Sequence, residues 1–446
     1  MSFYIIFYSL LLVTLAIDTV VYRFVKQRWL RWLGYGLPTL AIVLFLWTIT
    51  VPIDFLGTLN DFNKAYYPAG RLILENPSKL YDPFDISVKG LGVIHVRDLG
   101  FVNIPIIALL FIPFSLLDVA LSQILYTILG GIAIIIFGYL IVKLTKVTGW
   151  QRILLLRIIL VNGPLYYSLK VVNSTHFVLF FLLAAIFCIQ TKREIWLGIL
   201  LAIAALIKIP LFLLGIYYFL RGRWQVVLGY GGALLGIVGA SLLLFGVDLH
   251  LIWFERCIQA FRNKAIGAYN IQSVDGLLVR LLTDGNIGNW DPIELGLDFK
   301  VIRYVLLSLL IGGTIWICWR SKPPITIEEQ NLEFSIVLCL ALVISPISWT
   351  HYYLFLLVPL SLYLGEKLAI PQGWLWFSSV VLSILLISPA VRAFTPANPI
   401  LRFLMFKLLF SHYFFGGILL LGILLTARLQ TSKVDTYAVN ISENIN

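Results

Sequence analysis

The side chains best suited to chemistry lie in a few polar segments between long apolar blocks. The densest of these, 61–71, begins with Asp61 and contains two adjacent aromatic residues, Tyr66 and Tyr67. Asp61 follows the end of an apolar block, where a carboxylate meets both water and lipid head groups. Such a site raises the pKa of a carboxyl and suits it to take a proton from a hydroxyl. Asp61 is therefore a candidate general base, and the alternative is that it only caps a helix predicted over 62–74.

A second polar segment, with Trp349 and His351, separates two later apolar blocks. Ser345 and the proline after it should end one helix, and Ser348 or Thr350 should cap the next. His351 then falls in the first turn of that helix, at the membrane surface. A histidine there can orient a carboxylate or share a proton with it, and the alternative is a structural role. Trp349 also fits an interfacial aromatic belt.

Lys208 is a cation inside the otherwise apolar run 195–220, two positions before Pro210. Placing a lysine at mid-membrane costs roughly 2.5 to 3.5 kcal/mol on insertion scales. Binding of a phosphate would account for it, and so would a side chain that snorkels to the interface from a short half-helix. Both interpretations stay open at this point.

Several other polar residues are candidates for substrate contacts, although each is weak evidence alone. Amides bind sugar hydroxyls and arginines bind phosphate, but the same groups also hold loop backbones together. Besides Tyr66, Tyr67, Arg71 and Trp349, this class contains Asn173, His176, Asn270, Gln272, Ser273, Asp275, Arg280 and Arg402. Asp54 is a weaker rival of Asp61, because no aromatic segment follows it.

The composition indicates which elements position these residues. The chain has 446 residues, of which 60% are hydrophobic and 12% are charged, against roughly 25% charged residues in soluble domains. Its apolar blocks are about 18 to 25 residues long, the length of a helix that crosses a hydrocarbon core. They lack the period-two alternation of a β-barrel. The sequence therefore predicts an all-α polytopic membrane protein.

The basic residues predict its orientation. The formal net charge is +11, and no basic cluster forms a face on a soluble domain, so nucleic-acid binding is disfavoured. The positive-inside rule places the short basic loops in the cytoplasm. These loops contain Arg23/Lys26/Arg28/Arg31, Lys143/Lys146/Arg152, Lys192/Arg193, Arg221/Arg223, Arg320/Lys322 and Arg428/Lys433.

Counting spans from these loops places every polar candidate segment on the outer face. Two long loops, 53–100 and 247–300, also fall there. Convergence of polar groups from separate elements on one face is what an active site requires. We expect a single membrane domain over 1–430 and a short cytoplasmic tail over 431–446.

Two regions do not fit a simple count of spans. Segments 101–117 and 121–142 together connect an outer loop to an inner one. Two full passes would return the chain to the outer side, so the two segments cannot both be ordinary spans. Prolines interrupt the first, which predicts a broken or half-inserted helix. The same doubt applies to 195–220, which Lys208 and Pro210 divide.

The order of the polar segments resembles glycosyltransferase family 87, within the GT-C superfamily of membrane glycosyltransferases. The resemblance covers about residues 54–366. It rests on four pieces in family order: Asp61-Phe62 with Tyr66-Tyr67 and Leu80-Tyr81-Asp82, Asn103-Ile104-Pro105 leading to Pro113, Ala205 to Pro210 ahead of Arg223-Trp224, and Ser345 to Trp349 with His351.

This resemblance implies a GT-C-type helical bundle that transfers a hexose, often mannose. The donor would be a polyprenyl-phosphate sugar, and the acceptor a lipid or glycan at the outer face of the plasma membrane. Asp61 matches the expected general base of an inverting reaction, His351 the histidine that assists it, and Lys208 the lysine that faces the donor phosphate. No cofactor is implied. Metal dependence is left open, because the acids of loop 53–100 show no ligand spacing.

Two departures from the family pattern and several alternatives belong beside this interpretation. Relatives often have Gly-Gln and an Asn two positions on, where this chain has Asn173, Ser174, Thr175 and His176, and the span 3–21 would be an extra one. The main alternative is a polytopic transporter or flippase of lipid-linked saccharides. A polysaccharide polymerase or ligase and a membrane scaffold without chemistry are further alternatives.

Overall fold

The computed structural model describes residues 60–82, 84–88, 92–96, 100–283, 287–288, 290–389 and 398–443, with a few isolated positions before residue 60. The predicted spans 3–21 and 32–51 and the rival acid Asp54 lie outside the described residues.

The described part of the chain is almost entirely helical. Five of its helices are long and apolar enough to cross a membrane: Val119–Thr145, Gly149–Lys170, Trp224–Phe261, Leu297–Arg320 and Pro399–Thr431. Helices suit the lipid interior of a membrane because they satisfy their own backbone hydrogen bonds. The prediction of an all-α polytopic membrane protein is confirmed.

The elements are labelled in chain order. The helices are α1 (Tyr67–Glu75), α2 (Ile112–Ser115), α3 (Val119–Thr145), α4 (Gly149–Leu160), α5 (Gly163–Lys170), α6 (Thr175–Gln190), α7 (Glu194–Ile207), α8 (Phe212–Leu220), α9 (Trp224–Trp253), α10 (Val274–Leu282), α11 (Leu297–Arg320), α12 (Ile327–Ile344), α13 (Leu357–Leu364), α14 (Trp374–Ile387), α15 (Pro399–Lys407) and α16 (His412–Glu443). The strands are β1 (Phe84–Val88), β2 (Gly92–Val96), β3 (Lys264–Ala265) and β4 (Ile293–Glu294).

The strands form two small antiparallel pairs. Phe84 lies opposite Val96 in the β1–β2 pair, and Lys264 lies opposite Glu294 in the β3–β4 pair. The main apolar core is helical and lies where α6, α7, α12, α13 and α16 meet. A second apolar cluster surrounds Phe62, the residue after Asp61.

Segment 101–117 is a broken helix, as its prolines predict. A 3-10 helix runs over Pro105–Phe111 and the single turn α2 follows it. A proline stands in the first turn of each piece, where its missing N–H costs nothing. Only the next helix, α3, has the length of a span.

The run 195–220 is divided at Lys208. Helix α7 ends at Ile207, Lys208 has extended backbone angles, and a 3-10 turn over Ile209–Leu211 leads into α8. Pro210 cannot donate a helical hydrogen bond, so the helix cannot pass through it. The break places Lys208 at the junction of two half-helices, as expected.

One predicted helix end was wrong. The block expected to end at residue 246 continues as α9 to Trp253, because Gly246 takes a positive φ of 76° and forms a kink rather than an end. The outer loop predicted over 247–300 therefore starts later. Helix α16 extends to Glu443, so most of the segment 431–446, predicted as a cytoplasmic tail, is helical.

Candidate active site

Asp61 stands at the entry to a π-helical turn, Phe62–Tyr66, but it does not cap that turn. Its side chain makes no capping hydrogen bond. Asn60 serves that purpose instead, because its Oδ1 accepts from the backbone N–H of Asn63 at 2.9 Å. The alternative role of Asp61 as a helix cap is wrong, and its carboxylate is available for other contacts.

A chain of hydrogen bonds joins Asp61 to Lys208 through one amide. Asn173 Nδ2 donates to Asp61 Oδ2 at 2.5 Å, and Asn173 Oδ1 accepts from Lys208 Nζ at 2.9 Å. The backbone N–H of Asp61 also donates to the carbonyl of Val171 at 2.8 Å. Three segments that are distant in sequence thus meet at Asn173.

The surroundings of Asp61 act on its proton affinity in opposite directions. Burial has the largest effect and raises the pKa of the carboxyl, while the Asn173 hydrogen bond and the charges of Lys208 and Lys64 lower it. The net result is a pKa above the usual range of an aspartic acid. A carboxylate with a raised pKa is a stronger base, which suits it to proton abstraction.

Lys208 also reaches the second polar segment. Its Nζ lies 5.0 Å from the ring centroid of Tyr352, a cation–π contact. The ring of Tyr352 in turn lies edge-on to His351, with centroids 5.0 Å apart. Asp61 and His351 therefore belong to one contiguous cluster, but Lys208 and Tyr352 lie between them and no hydrogen bond joins the two within the described chain.

His351 lies in a 3-10 helix, Thr350–Leu356, among aromatic rings. The rings of Tyr167 and Trp349 are nearly parallel to the imidazole, with centroids 6.2 Å and 6.4 Å away. His351 is 3% exposed, yet neither ring nitrogen has a hydrogen-bond partner among the described residues. A buried imidazole without a protein partner indicates a place for a polar ligand group.

The expected caps of this helix are wrong. Trp349 occupies the cap position and makes no side-chain cap bond. Thr350 instead donates to the carbonyl of Asn270 through both its backbone N–H (2.8 Å) and its hydroxyl (3.1 Å). Asn270 also donates to the Tyr167 hydroxyl at 2.8 Å. Asn270 therefore holds Tyr167, whose ring lies beside His351, and Thr350, the residue before His351.

Tyr66 and His176 flank the same cluster. Tyr66 Oη lies 3.0 Å from Ser174 Oγ, and its ring stacks on Phe111 with centroids 4.5 Å apart. His176 Nδ1 lies 3.0 Å from Ser168 Oγ, while its Nε2 is buried without a partner in the described chain. His176 follows Asn173 by three positions, and Tyr66 contacts Ser174, the residue directly after Asn173.

Gln272 and Arg280 are fully occupied by contacts inside the protein. Gln272 donates to the carbonyls of Tyr269 and Phe410 and accepts from the backbone N–H of Phe414 at 3.2 Å. The guanidinium of Arg280 donates to Ser411 Oγ and to the carbonyls of Gly267, Ala268 and Ile271. Through these hydrogen bonds, both residues connect the loop before α10 to the segment at the start of α16.

Arg71, Tyr67 and Asp275 make their polar contacts outside the Asp61 cluster. Arg71 forms an exposed pair with Glu75 at 2.8 Å, and the Tyr67 hydroxyl donates to the Leu117 carbonyl. Asp275 pairs with Arg303 at 2.9 Å, and burial raises the pKa of Asp275 to about 6 despite that charge.

Sequence reasoning missed three residues of the site: Asn60, Tyr167 and Ser168. The available signal for Tyr167 and Ser168 was their place in the last turn of α5, directly before the polar segment at Asn173. No local signal distinguished Asn60 from Asp61 as the capping residue, because both types are good caps.

The arrangement combines a base, a cation and unpartnered polar atoms. The carboxylate can accept a proton, and the ammonium, with one of its donors used by Asn173, can hold an anionic group with the others. Among the described residues, no group of three His, Cys, Asp or Glu side chains could hold a metal ion.

Comparison with known proteins identifies a family. A family model described as glycosyltransferase family 87 matches residues 101–346, which is more than half of the chain. The match includes Asn173 and Lys208 and ends before His351. No curated protein matches the chain.

Proposed function

The chain belongs to glycosyltransferase family 87, and we propose that this membrane glycosyltransferase moves a hexose, with mannose as the first candidate, from a polyprenyl-phosphate donor to a hydroxyl of a lipid or glycan. The observation that carries the proposal is the connection of Asp61, through Asn173, to Lys208. It supplies a base for the acceptor and a cation for the donor phosphate within one cluster.

In the proposed reaction Asp61 takes the proton of the acceptor hydroxyl while that oxygen attacks the anomeric carbon of the donor sugar. The bond from this carbon to the phosphate oxygen breaks, and polyprenyl phosphate leaves with the bonding electrons. Attack opposite the leaving group inverts the anomeric centre. The Lys208 ammonium stabilises the negative charge that grows on the departing phosphate.

We propose that His351 acts through the substrate rather than by touching Asp61. Its two unpartnered nitrogens need hydrogen-bond partners, and hydroxyls of a sugar supply them. The nearly parallel rings of Trp349 and Tyr167 offer apolar faces beside it. In this arrangement His351 holds the sugar or acceptor while Asp61 removes the proton.

We place this site on the extracytoplasmic side of the plasma membrane. The basic residues Lys143 and Lys146 stand at the end of α3, and Arg221 and Arg223 stand between α8 and α9. Such short basic loops face the cytoplasm, and Phe62 packs on Tyr126 near the start of α3, so most of that helix separates the Asp61 segment from Lys143 and Lys146. Polyprenyl donors and membrane lipids can then reach the site from the outer leaflet.

The test is transfer by the purified protein in lipid nanodiscs. Labelled mannosyl phosphoryl polyprenol serves as donor, and a glycolipid extract serves as acceptor. We expect Asp61→Asn to lower the rate at least about 100-fold, a typical loss for general-base removal. Glu75→Gln, which removes an exposed carboxylate from the same segment, should stay within about twofold.

Three outcomes would count against the proposal. Normal transfer by Asp61→Asn would exclude the general-base role. Transfer from a nucleotide sugar but not from the polyprenyl donor would exclude the donor class. Movement of the intact lipid-linked sugar across the bilayer without transfer would favour a flippase.

A further inference from the structure

Asn173 touches both charged groups of the site, although the proposed reaction steps do not use its side chain. Its Nδ2 donates to Asp61, its Oδ1 accepts from Lys208, and it is 4% exposed. We propose that Asn173 is a positioning residue whose amide, inserted between carboxylate and ammonium, orients Asp61 and keeps the two charges from forming a direct ion pair. This inference rests on the proposed general-base role of Asp61.

The direction of the amide follows from its neighbours. Asn173 Oδ1 accepts three bonds: from Lys208 Nζ at 2.9 Å, from Thr175 N–H at 3.0 Å and from Thr175 Oγ1 at 2.6 Å. A reversed amide would point its NH₂ group at an ammonium and a backbone N–H, which are also donors. The NH₂ group must therefore face Asp61.

The backbone of Asn173 is held as firmly as its side chain. Its N–H donates to the Ser168 carbonyl at 2.9 Å, which fixes the turn between α5 and α6. Val172, just before it, has a positive φ of 50°, an unusual conformation for a β-branched residue. The turn thus presents the amide at a set place between Asp61 and Lys208.

Separation of the two charges preserves the function of each. A carboxylate in direct contact with an ammonium is a weaker base, because the cation stabilises its charged form. An ammonium neutralised by a carboxylate attracts a phosphate less. With the amide between them, Asp61 bonds Asn173 through Oδ2 alone, and Oδ1 has no hydrogen bond within the described chain. This oxygen is free to receive the acceptor proton.

The charges and ionisable groups around Asp61 determine what a pH experiment reports. The cations whose charges act on Asp61 are Lys64 and Lys208. The tyrosines that interact with Asp61 are Tyr66, Tyr126, Tyr167 and Tyr352. His176 and His351 face Lys208 rather than Asp61.

The test measures kcat/KM against pH for Asn173→Leu and Asn173→Asp. Leucine has nearly the shape of asparagine but no donor, so it still fills the space between Asp61 and Lys208 while the Asp61 carboxylate loses a stabilising bond. In Asn173→Asp two adjacent carboxylates must share a proton. Both changes raise the pKa of Asp61, so the acid limb should move to higher pH by about one unit, with activity recovering as pH rises.

The matched control is Asn63→Leu. Asn63 is a buried amide in the turn after Asp61, and its Nδ2 donates to Gln123 Oε1 at 2.9 Å rather than to Asp61. This variant should keep the wild-type acid limb. A purely structural role of Asn173 would lower the rate equally at every pH and would leave the limb in place. That result in both Asn173 variants would overturn the inference.

An infrared titration separates this inference from the proposed function. The carboxyl band of Asp61 is identified without substrate as the band lost in Asp61→Asn. In Asn173→Leu its midpoint should rise by about one pH unit, whether or not the protein uses a polyprenyl donor. An unchanged midpoint would overturn the positioning role, whereas a shifted midpoint in a protein that transfers no sugar would refute only the proposed function.

Discussion

Asp61 and Lys208 show how surroundings set the chemistry of ordinary residue types. Burial strengthens Asp61 as a base, while Asn173 and Lys208 limit that effect so that the carboxylate can still ionise. Gln272 and Arg280 show the reverse case. Their donors are of the kind that bind sugars and phosphates, but the protein's own carbonyls occupy them.

The raised pKa of Asp61 predicts how wild-type activity depends on pH. The base must be ionised, so kcat/KM should fall as pH drops through the pKa of Asp61. Because burial raises that pKa, the fall should begin at higher pH than for an exposed aspartate. The check is a pH profile of transfer at subsaturating donor concentration, with Glu75→Gln expected to give the same limb. An acid limb at or below the usual aspartate range would contradict this prediction.

At the scale of elements, the site depends on how closely α7 and α9 approach. A Cβ added to Gly198 would lie 2.0 Å from the carbonyl oxygen of Val226, and one added to Gly229 would lie 2.1 Å from that of Ile195. Small residues at such crossings let helix backbones touch, which is how helices associate in membranes. The contact fixes the first turns of α7, the helix that ends immediately before Lys208.

Gly229→Ala should therefore destabilise the protein and reduce transfer. The added methyl meets backbone atoms, so α7 must move, at a cost of about 1 to 3 kcal/mol or more. Gly232→Ala is the control, since nothing lies within 4 Å of its added Cβ on the same helix. Unfolding by SDS in mixed micelles measures both variants. Equal stability of the two would show that the helices separate without cost.

At the scale of the whole molecule, a buried ionic network ties three distant helices together. Glu333 of α12 accepts from Arg428 Nε of α16 at 2.7 Å and from Arg221 Nε, at the end of α8, at 2.8 Å. Tyr217 also donates to this carboxylate at 2.6 Å. Arg428 is 1% exposed, so these charges have no access to water as a substitute partner.

Arg428→Met should lower the free energy of unfolding by about 3 to 5 kcal/mol, because it removes one partner from a buried charge. Arg223→Met is the matched control. Its partner Glu194 and Arg223 itself are both partly exposed, and such pairs contribute about 0 to 1 kcal/mol. Unfolding titrations compare the two variants. Similar losses would mean that the network contributes no more than a surface pair.

Much of the fold could be predicted because membrane helices are governed by local rules. Run length predicted the five span-length helices of the described chain, and the prolines predicted the breaks at Pro105 and Pro210, since a residue without an N–H cannot continue a helix. The kink at Gly246 was missed because glycine permits an end and a bend equally well. The ends of long helices depend on what packs against them.

The candidate site shows the same division between what local sequence determines and what packing determines. The sequence alone determined which residues could react: Asp61, Lys208 and His351 are polar groups at interruptions of apolar runs. Only the tertiary structure decided that Asn173 joins Asp61 to Lys208. It also showed that Asn60 rather than Asp61 caps the turn, and that the guanidinium of Arg280 donates hydrogen bonds to backbone carbonyls of the protein. Apart from the local Asn60 cap, these partners are set by packing between separate segments, and no local pattern records which donor finds which acceptor.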